Sequence, residues 1–313
     1  MTKHRWFTKQ ASPFGSRCVK VVLGCFIAGQ ALTGFSLFGG AGNYASAAGE
    51  PPVKSTWLWN PYIIDKEADS TLQQLADKQV NRVYIFIDLS YPANYYSQFI
   101  RKAHAMGIQV EALGGAPNWV LPEYNKKLYV FIDWVKRYNN AVQPEERFSG
   151  IHLDVEPYVL PEWGQDSDTT IGLWMDTVSG FQEEVKSDSS LQVGMDMPVW
   201  LEYFQVGDGQ GGRTTLSDWF IRRMDEVTLM AYRDQTDDIT DSVKTELDEA
   251  DRAGASAIVA VDTVDSGEEG SFYGEGEAWM EQVLGELPAV LGSHPSFKGT
   301  GVHEWESWLK LKP

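Results

Sequence analysis

Cysteine is nearly absent from this 313-residue chain: there are two, Cys18 and Cys25. Both lie in a segment read below as a removable leader, so a disulfide framework is excluded and stability must come from a buried core. Histidine is scarce as well, at five residues, and the five are scattered without zinc-type spacing. An Asp-x-Asp-x-Asp-Gly calcium loop is missing, although Gln165-Asp166-Ser167-Asp168 could hold an ion weakly. Phosphate-cradling glycine loops are missing too, and the glycines from 207 to 212 suit a mobile loop. Neither a cofactor nor a metal is therefore expected. Basic residues are few, 26 against 44 acidic ones. The leader takes five of those 26 and none of the 44, which leaves a net charge of about −23 and makes nucleic acid a poor partner. A long unbroken apolar run is also lacking. The stretch from Val21 to about Gly40 is interrupted by Gln30, Thr33 and several glycines, whereas a membrane span needs about 20 apolar residues in a row.

What stands at the start is a signal-peptide layout. Lys3, Arg5, Lys9, Arg17 and Lys20 precede the apolar run, and Ala45-Ser46-Ala47-Ala48 supplies small residues for cleavage. Residues 1–48 are thus expected to be removed and the protein to be secreted, with no stable membrane insertion after cleavage. Lipidation at Cys25 is the weaker alternative, because only four apolar residues separate it from Lys20. Residues 49–54, with Pro51-Pro52, read as a linker, and 55–313 as one domain, expected to be monomeric.

From Trp57 onward, β-rich runs alternate with amphipathic stretches. The strand candidates are Trp57 to Ile64, Arg82 to Asp88, Gln109 to Leu113, Gly150 to Glu156, Gln192 to Met197, Glu226 to Tyr232, Ala257 to Asp262 and Gly301 to Trp305. Val83-Tyr84-Ile85-Phe86-Ile87 and Ala257-Ile258-Val259-Ala260-Val261 are almost wholly apolar, as parallel strands covered by helices require. Between the strands lie helical patterns such as Leu128 to Asn140, apolar at 128, 131, 132 and 135. Eight strands in strict alternation with helices predict an α/β fold, a single (β/α)8 TIM barrel.

In such a barrel, chemistry sits at the C-terminal strand ends. The fourth strand reads Ser149-Gly150-Ile151-His152-Leu153-Asp154-Val155-Glu156, and alternation puts His152, Asp154 and Glu156 on the inward face. Three ionisable groups inside a barrel are costly unless they are paired or open to a solvent-filled pocket. Both a functional cluster and a structural salt-bridge ladder satisfy that condition. Further inward carboxylates are expected at Glu111, Asp196, Asp262 and Glu304, and Trp59, Trp119 and Trp305 fall at or beyond strand ends, where rings stack on sugar CH faces.

These segments resemble the family 18 glycoside hydrolases, the chitinase-like barrels, whose fourth strand carries DxxDxDxE. Here the pattern is SGIHLDVE: Ser149 and His152 replace the first two aspartates, while Asp154 and Glu156 match the last two acids. Leu229-Met230-Ala231-Tyr232 resembles the family's Met-x-Tyr motif, with Arg233 intervening before Asp234, and Trp305 is similar to the tryptophan that closes the last strand. The resemblance implies a carbohydrate-binding hydrolase of an N-acetylhexosamine-containing glycan. Glu156 would be the general acid, Asp154 and Tyr232 would orient the substrate's acetamido group, and Trp305 would floor the sugar pocket. Asp154 is expected to raise the Glu156 pKa by repulsion, and His152 to pair with Asp154 and hold it ionised. Two alternatives stay open. One is a two-carboxylate mechanism pairing Glu156 with Asp262. The other is an inactive carbohydrate-binding TIM barrel, which Ser149 and His152 favour.

Overall fold

The structure is a computed structural model that describes residues 51–267 and 270–313; the leader read over 1–48 lies outside the described residues. Among those residues, eight parallel strands close into a barrel. They are β1 (Val53–Leu58), β2 (Arg82–Phe86), β3 (Gln109–Gly114), β4 (Gly150–Leu153), β5 (Gln192–Pro198), β6 (Glu226–Met230), β7 (Ser256–Asp262) and β8 (Phe297–His303). Each strand pairs with its sequence neighbour, and β1 closes the ring against β8, with Thr56 opposite Val302. The principal helices between them are α1 (Ala68–Asp77), α2 (Ala93–Ala105), α3 (Lys126–Ala141), α4 (Ser167–Lys186), α5 (Leu216–Ile221), α6 (Thr236–Ala253) and α7 (Glu277–Leu291). None of the described helices is long and apolar enough to cross a membrane.

The predicted (β/α)8 class is the observed one, with shifts at its edges. β1 begins at Val53, inside the stretch read as a linker, and β8 starts four residues earlier than expected, at Phe297, and ends two earlier, at His303 rather than Trp305. The glycines from 207 to 212 are not a loose loop. They turn a two-stranded hairpin, Gln205–Gly207 against Arg213–Thr215, in which Asp208 Oδ1 accepts from Gln210 N at 2.7 Å and Gly212 N at 2.8 Å. Asp166, considered above as an ion ligand, instead caps α4 by accepting from Thr169 N at 3.0 Å.

Two apolar layers result. The larger one lies between the strands and the helices, and a smaller cluster of Trp57, Tyr84, Leu113 and Ala260 fills the barrel, with Trp59, Phe86 and Tyr232 packed on it. Small residues on the inner face make room for the large ones. A Cβ at Gly194 would lie 2.9 Å from His152 Nδ1, and one at Gly301 would lie 3.2 Å from the Trp57 ring. Bulk on β1 and β4 therefore depends on its absence from β5 and β8.

Helix α6 buries two acids: Glu246 faces the turn Leu201–Tyr203 that follows β5, and Glu249 accepts from the Thr215 hydroxyl at 2.6 Å. Burial first, and then the facing Glu202 carboxyl, pushes the Glu246 pKa up to about 9. Neither Glu246 oxygen nor Glu202 Oε2 finds another donor, so a proton on Glu246, shared with Glu202, is what satisfies the pair. The folded pKa exceeds the ordinary value of 4.5, so the folded chain holds a proton that the unfolded chain releases. This contribution to stability is complete below pH 4.5 or so and is lost as pH rises toward 9. Glu246→Gln, whose amide can donate to Glu202 at any pH, should raise the urea midpoint at pH 8 and leave it level or lower near pH 4.5. Urea titrations of both proteins across that range measure it.

Candidate active site

Because the strands are parallel, all their C-terminal ends open at one mouth. Asp154 and Glu156 project just beyond β4, Asp196 comes from β5, Tyr232 lies two residues past β6, and Asp262 and His303 are the last residues of β7 and β8. The structure thus brings Asp154, Glu156, Asp196 and Tyr232 close enough for their charges to act on one another.

Asp196 is the hub beneath the mouth. Its Oδ1 accepts from His152 Nε2 at 2.9 Å and its Oδ2 from Trp57 Nε1 at 3.1 Å. His152 is fully buried, stacks near Tyr84 with 4.0 Å between ring centroids, and turns its Nδ1 toward Glu111 Oε2 at 3.9 Å. Burial works against charge on this imidazole, but Asp196 and then Glu111 outweigh it, and the His152 pKa rises. The expected His152–Asp154 pair is therefore not formed. The partner of His152 is on the adjacent strand, and Asp154 Oδ1 is buried with no hydrogen-bond partner.

Asp154 consequently has no imidazole partner to hold it ionised. Burial first, then the charges of Asp196 and Glu156, lift its pKa well above the ordinary carboxylate value. Glu156 is also raised, and again burial is the main cause rather than repulsion by Asp154. Asp196 adds to the rise, while the Tyr158 hydroxyl, which donates to Glu156 Oε1, and the nearby His303 oppose it. Asp154 and Glu156 are best regarded as a pair that retains a proton to higher pH than a free carboxyl would.

On the other side of the mouth, Trp59 Nε1 donates to His303 Nε2 at 3.2 Å, so His303 carries its proton on Nδ1 and donates it to Asp262 Oδ1 at 3.0 Å. The Tyr232 ring stacks on His303 at 5.8 Å between centroids. Asp262, the candidate strand-seven nucleophile, is 8% exposed and committed to this histidine.

Three predicted residues lie elsewhere. Trp305 opens the short helix Trp305–Trp308, is 2% exposed, and packs on Trp308 in the layer outside the barrel rather than under a sugar site. Glu304 caps that helix, accepting from Ser307 N at 2.8 Å and Glu306 N at 3.0 Å. Glu111 sits deeper, 2% exposed, near Arg82. Trp119 stands in the turn Pro117–Val120 beside the mouth, with its ring 5.9 Å from that of Phe131. Sequence reasoning missed Tyr158 and His303. Alternation from Gly299 through Gly301 places His303 inward, and the run Glu156-Pro157-Tyr158 folds a phenol back on the carboxylate. Tyr158 is braced by Trp200 at 5.0 Å and Trp163 at 6.3 Å, so aromatic rings wall this side.

Fold and site define the class: a (β/α)8 barrel with a carboxylate-rich, aromatic-walled C-terminal mouth. Among solved structures the chain is similar to a fungal β-1,4-galactanase (15% identity, TM-score 0.51, covering 81% of this chain and 89% of that one). It is similar also to a GH18 chitinase from Pseudoalteromonas aurantia (13% identity, TM-score 0.51, 82% and 98%) and to a chitinase from Bacteroides thetaiotaomicron (11% identity, TM-score 0.50, 82% and 90%). At these identities the likeness is one of fold. No protein-family model matches the sequence, and no curated protein matches it.

Proposed function

We propose that this chain is a secreted glycoside hydrolase acting on an N-acetylhexosamine-containing glycan, with Glu156 as general acid. The observation that carries this reading is the proton-retaining Asp154–Glu156 pair at the barrel mouth, with Tyr232 within electrostatic reach and aromatic rings around it. Glycoside cleavage needs a carboxylic acid that still holds its proton when the leaving oxygen departs. Burial supplies that property here. In the substrate-assisted form of the reaction, Glu156 gives its proton to the glycosidic oxygen while the acetamido oxygen attacks the anomeric carbon. Asp154 and the Tyr232 hydroxyl hold the acetamido group for that attack. Galactanase- and chitinase-like neighbours share only the architecture, so the sugar rests on the resemblance of Asp154, Glu156 and Tyr232 to the family 18 motifs.

The deciding experiment is a screen of the protein against chitin oligomers, peptidoglycan and neutral glycans, run beside Glu156→Gln. Turnover that the variant loses supports the hydrolase. Binding without turnover in the wild type supports the second reading, a carbohydrate-binding barrel, which the engagement of His152 with Asp196 instead of Asp154 favours.

Tyr158 bears on the pH range. Its hydrogen bond stabilises the Glu156 carboxylate and so opposes the burial-driven rise. Tyr158→Phe removes that donor, the pair holds its proton more tightly, and the alkaline limb of kcat/KM should move to higher pH. A pH–rate profile measures this, and an unmoved limb would contradict the assignment.

A further inference from the structure

Beside the mouth lies a cavity of about 320 Å³ that the glycan reading does not use. Phe86, Leu89, Trp119, Val130 and Phe131 form its walls, and Lys126 and Lys127 stand at its edge. Leu89 and Val130 are 43% and 52% exposed, an open apolar surface in a chain whose other large side chains are mostly covered. A bare sugar ring is a poor occupant, because apart from the Trp119 indole N–H and the two edge lysines its hydroxyls would meet only apolar side chains and would lose the partners they have in water. The occupant that fits is apolar, with roughly ten heavy atoms if each takes about 30 Å³.

Charge narrows it further. No carboxylate lines the cavity. Lys126 makes no ion pair among the described residues, and Lys127 lies over the Tyr124 ring at 5.3 Å, not against an acid. Both lysines open α3, whose first turn carries no acidic side chain to cancel their charge. In a protein with so large an acidic excess, this is a place built to accept negative charge.

We propose that the cavity binds an apolar organic anion, an acyl or aryl group bearing a carboxylate. Its position says what the group is attached to. Gly114 in the cavity wall accepts a hydrogen bond from Asp154 N at 3.0 Å, and Phe86 packs on Trp59 of the mouth at 5.9 Å. A glycan seated over Asp154 and Glu156 would thus place an acidic acyl or aryl substituent here. This last step rests on the glycan reading, whereas the binding site itself does not.

Isothermal titration with 2-naphthoate and its neutral counterpart 2-naphthylmethanol separates the terms. The naphthoate should bind at least about fivefold more tightly, the difference expected of two exposed ammonium groups. The Lys126→Gln/Lys127→Gln double variant should erase that difference, and Val130→Trp, which fills the cavity from the exposed face of α3, should weaken both probes about tenfold or more. Glu156→Gln should bind naphthoate as the wild type does, so loss of the hydrolase reading leaves this result intact. Equal affinities for the two probes, no binding of either, or naphthoate binding indifferent to the lysine or Val130 changes would overturn the proposal.

Discussion

Glu156→Gln is expected to lower kcat on the cleaved glycan by at least about 100-fold, while substrate binding survives. Glutamine matches the acid in shape and can still accept from Tyr158, so the mouth keeps its form, but it has no proton to give the leaving oxygen. The neighbouring carboxyl cannot easily substitute, since the backbone of Asp154 is tied to Gly114 on β3 and its side chain sits deeper in the mouth. Comparison of two further variants identifies the second catalytic group. If the substrate's acetamido oxygen captures the anomeric centre, Tyr232→Phe and Asp154→Asn should both slow turnover, and Asp262→Asn should act only through its contact with His303. If Asp262 is a nucleophile, Asp262→Asn should be nearly inactive and Tyr232→Phe mild. The Asp262–His303–Trp59 chain favours the first outcome, because a carboxylate already holding a histidine proton is a poorer nucleophile. A fully active Glu156→Gln protein would sink both mechanisms.

The barrel was legible because its signal is repeated. Apolar runs such as Val83 to Ile87 recur with helical stretches between them, and an error of a few residues at one strand leaves the alternation intact. Local errors had local causes. β1 starts at Val53 because Lys54 N finds Asn81 Oδ1 at 2.9 Å and Val53 pairs with Gly299, partners 27 or more residues away that no window of sequence displays. Trp305 has the same parity as Gly301 and His303, so alternation aims it inward. Glu304 ends that alternation by capping a new helix, and the ring turns outward.

The site was legible in membership more than in pairing. Parity alone brings His152, Asp154 and Glu156 to one face, and strand order brings Tyr232 and Asp196 beside them. Which acid the histidine would choose depends on cross-strand register. His152 lies opposite Gly194, whose missing side chain lets the imidazole lean toward Asp196 two residues further along β5. Register of this kind is decided by the closed barrel as a whole, and it reversed the direction expected for Asp154, whose pKa rises with burial instead of being held down by an imidazole. His303 and Tyr158 escaped notice for a related reason: each acts through a partner remote in sequence or folded back by a turn, and neither belongs to the matched motif.

The floor of the barrel carries the other large effect, on stability. Arg82, at the start of β2, donates to Glu226 at the start of β6, reaches Gln109 Oε1 at 3.3 Å, and lies 3.5 Å from Glu111. Arg82 and Glu226 are each 8% exposed and Glu111 is 2% exposed, so one cation serves two buried acids. Burial opposes charge on the guanidinium, yet Glu111 and Glu226 together hold it protonated. Glu111 is pushed up to about 7, chiefly by burial and also by Glu226, with Arg82 restraining the rise. Arg82→Met keeps the length of the side chain and removes the charge, leaving Glu226 without a counter-ion and Glu111 with only the His152 imidazole at 3.9 Å. Breaking a buried pair in this way costs about 3–5 kcal/mol, because the desolvated charge remains. Glu111 should then hold its proton to still higher pH in the folded state. Since stability from a raised carboxyl pKa is complete below about 4.5 and is lost as pH climbs past it, the deficit of Arg82→Met should grow from pH 5 to pH 8. Adding Glu226→Met should recover much of it, as apolar replacement of a whole buried pair is often neutral. Guanidinium unfolding at the two pH values measures all three proteins. A deficit below about 1 kcal/mol that does not vary with pH would mean that water reaches the floor and screens the network.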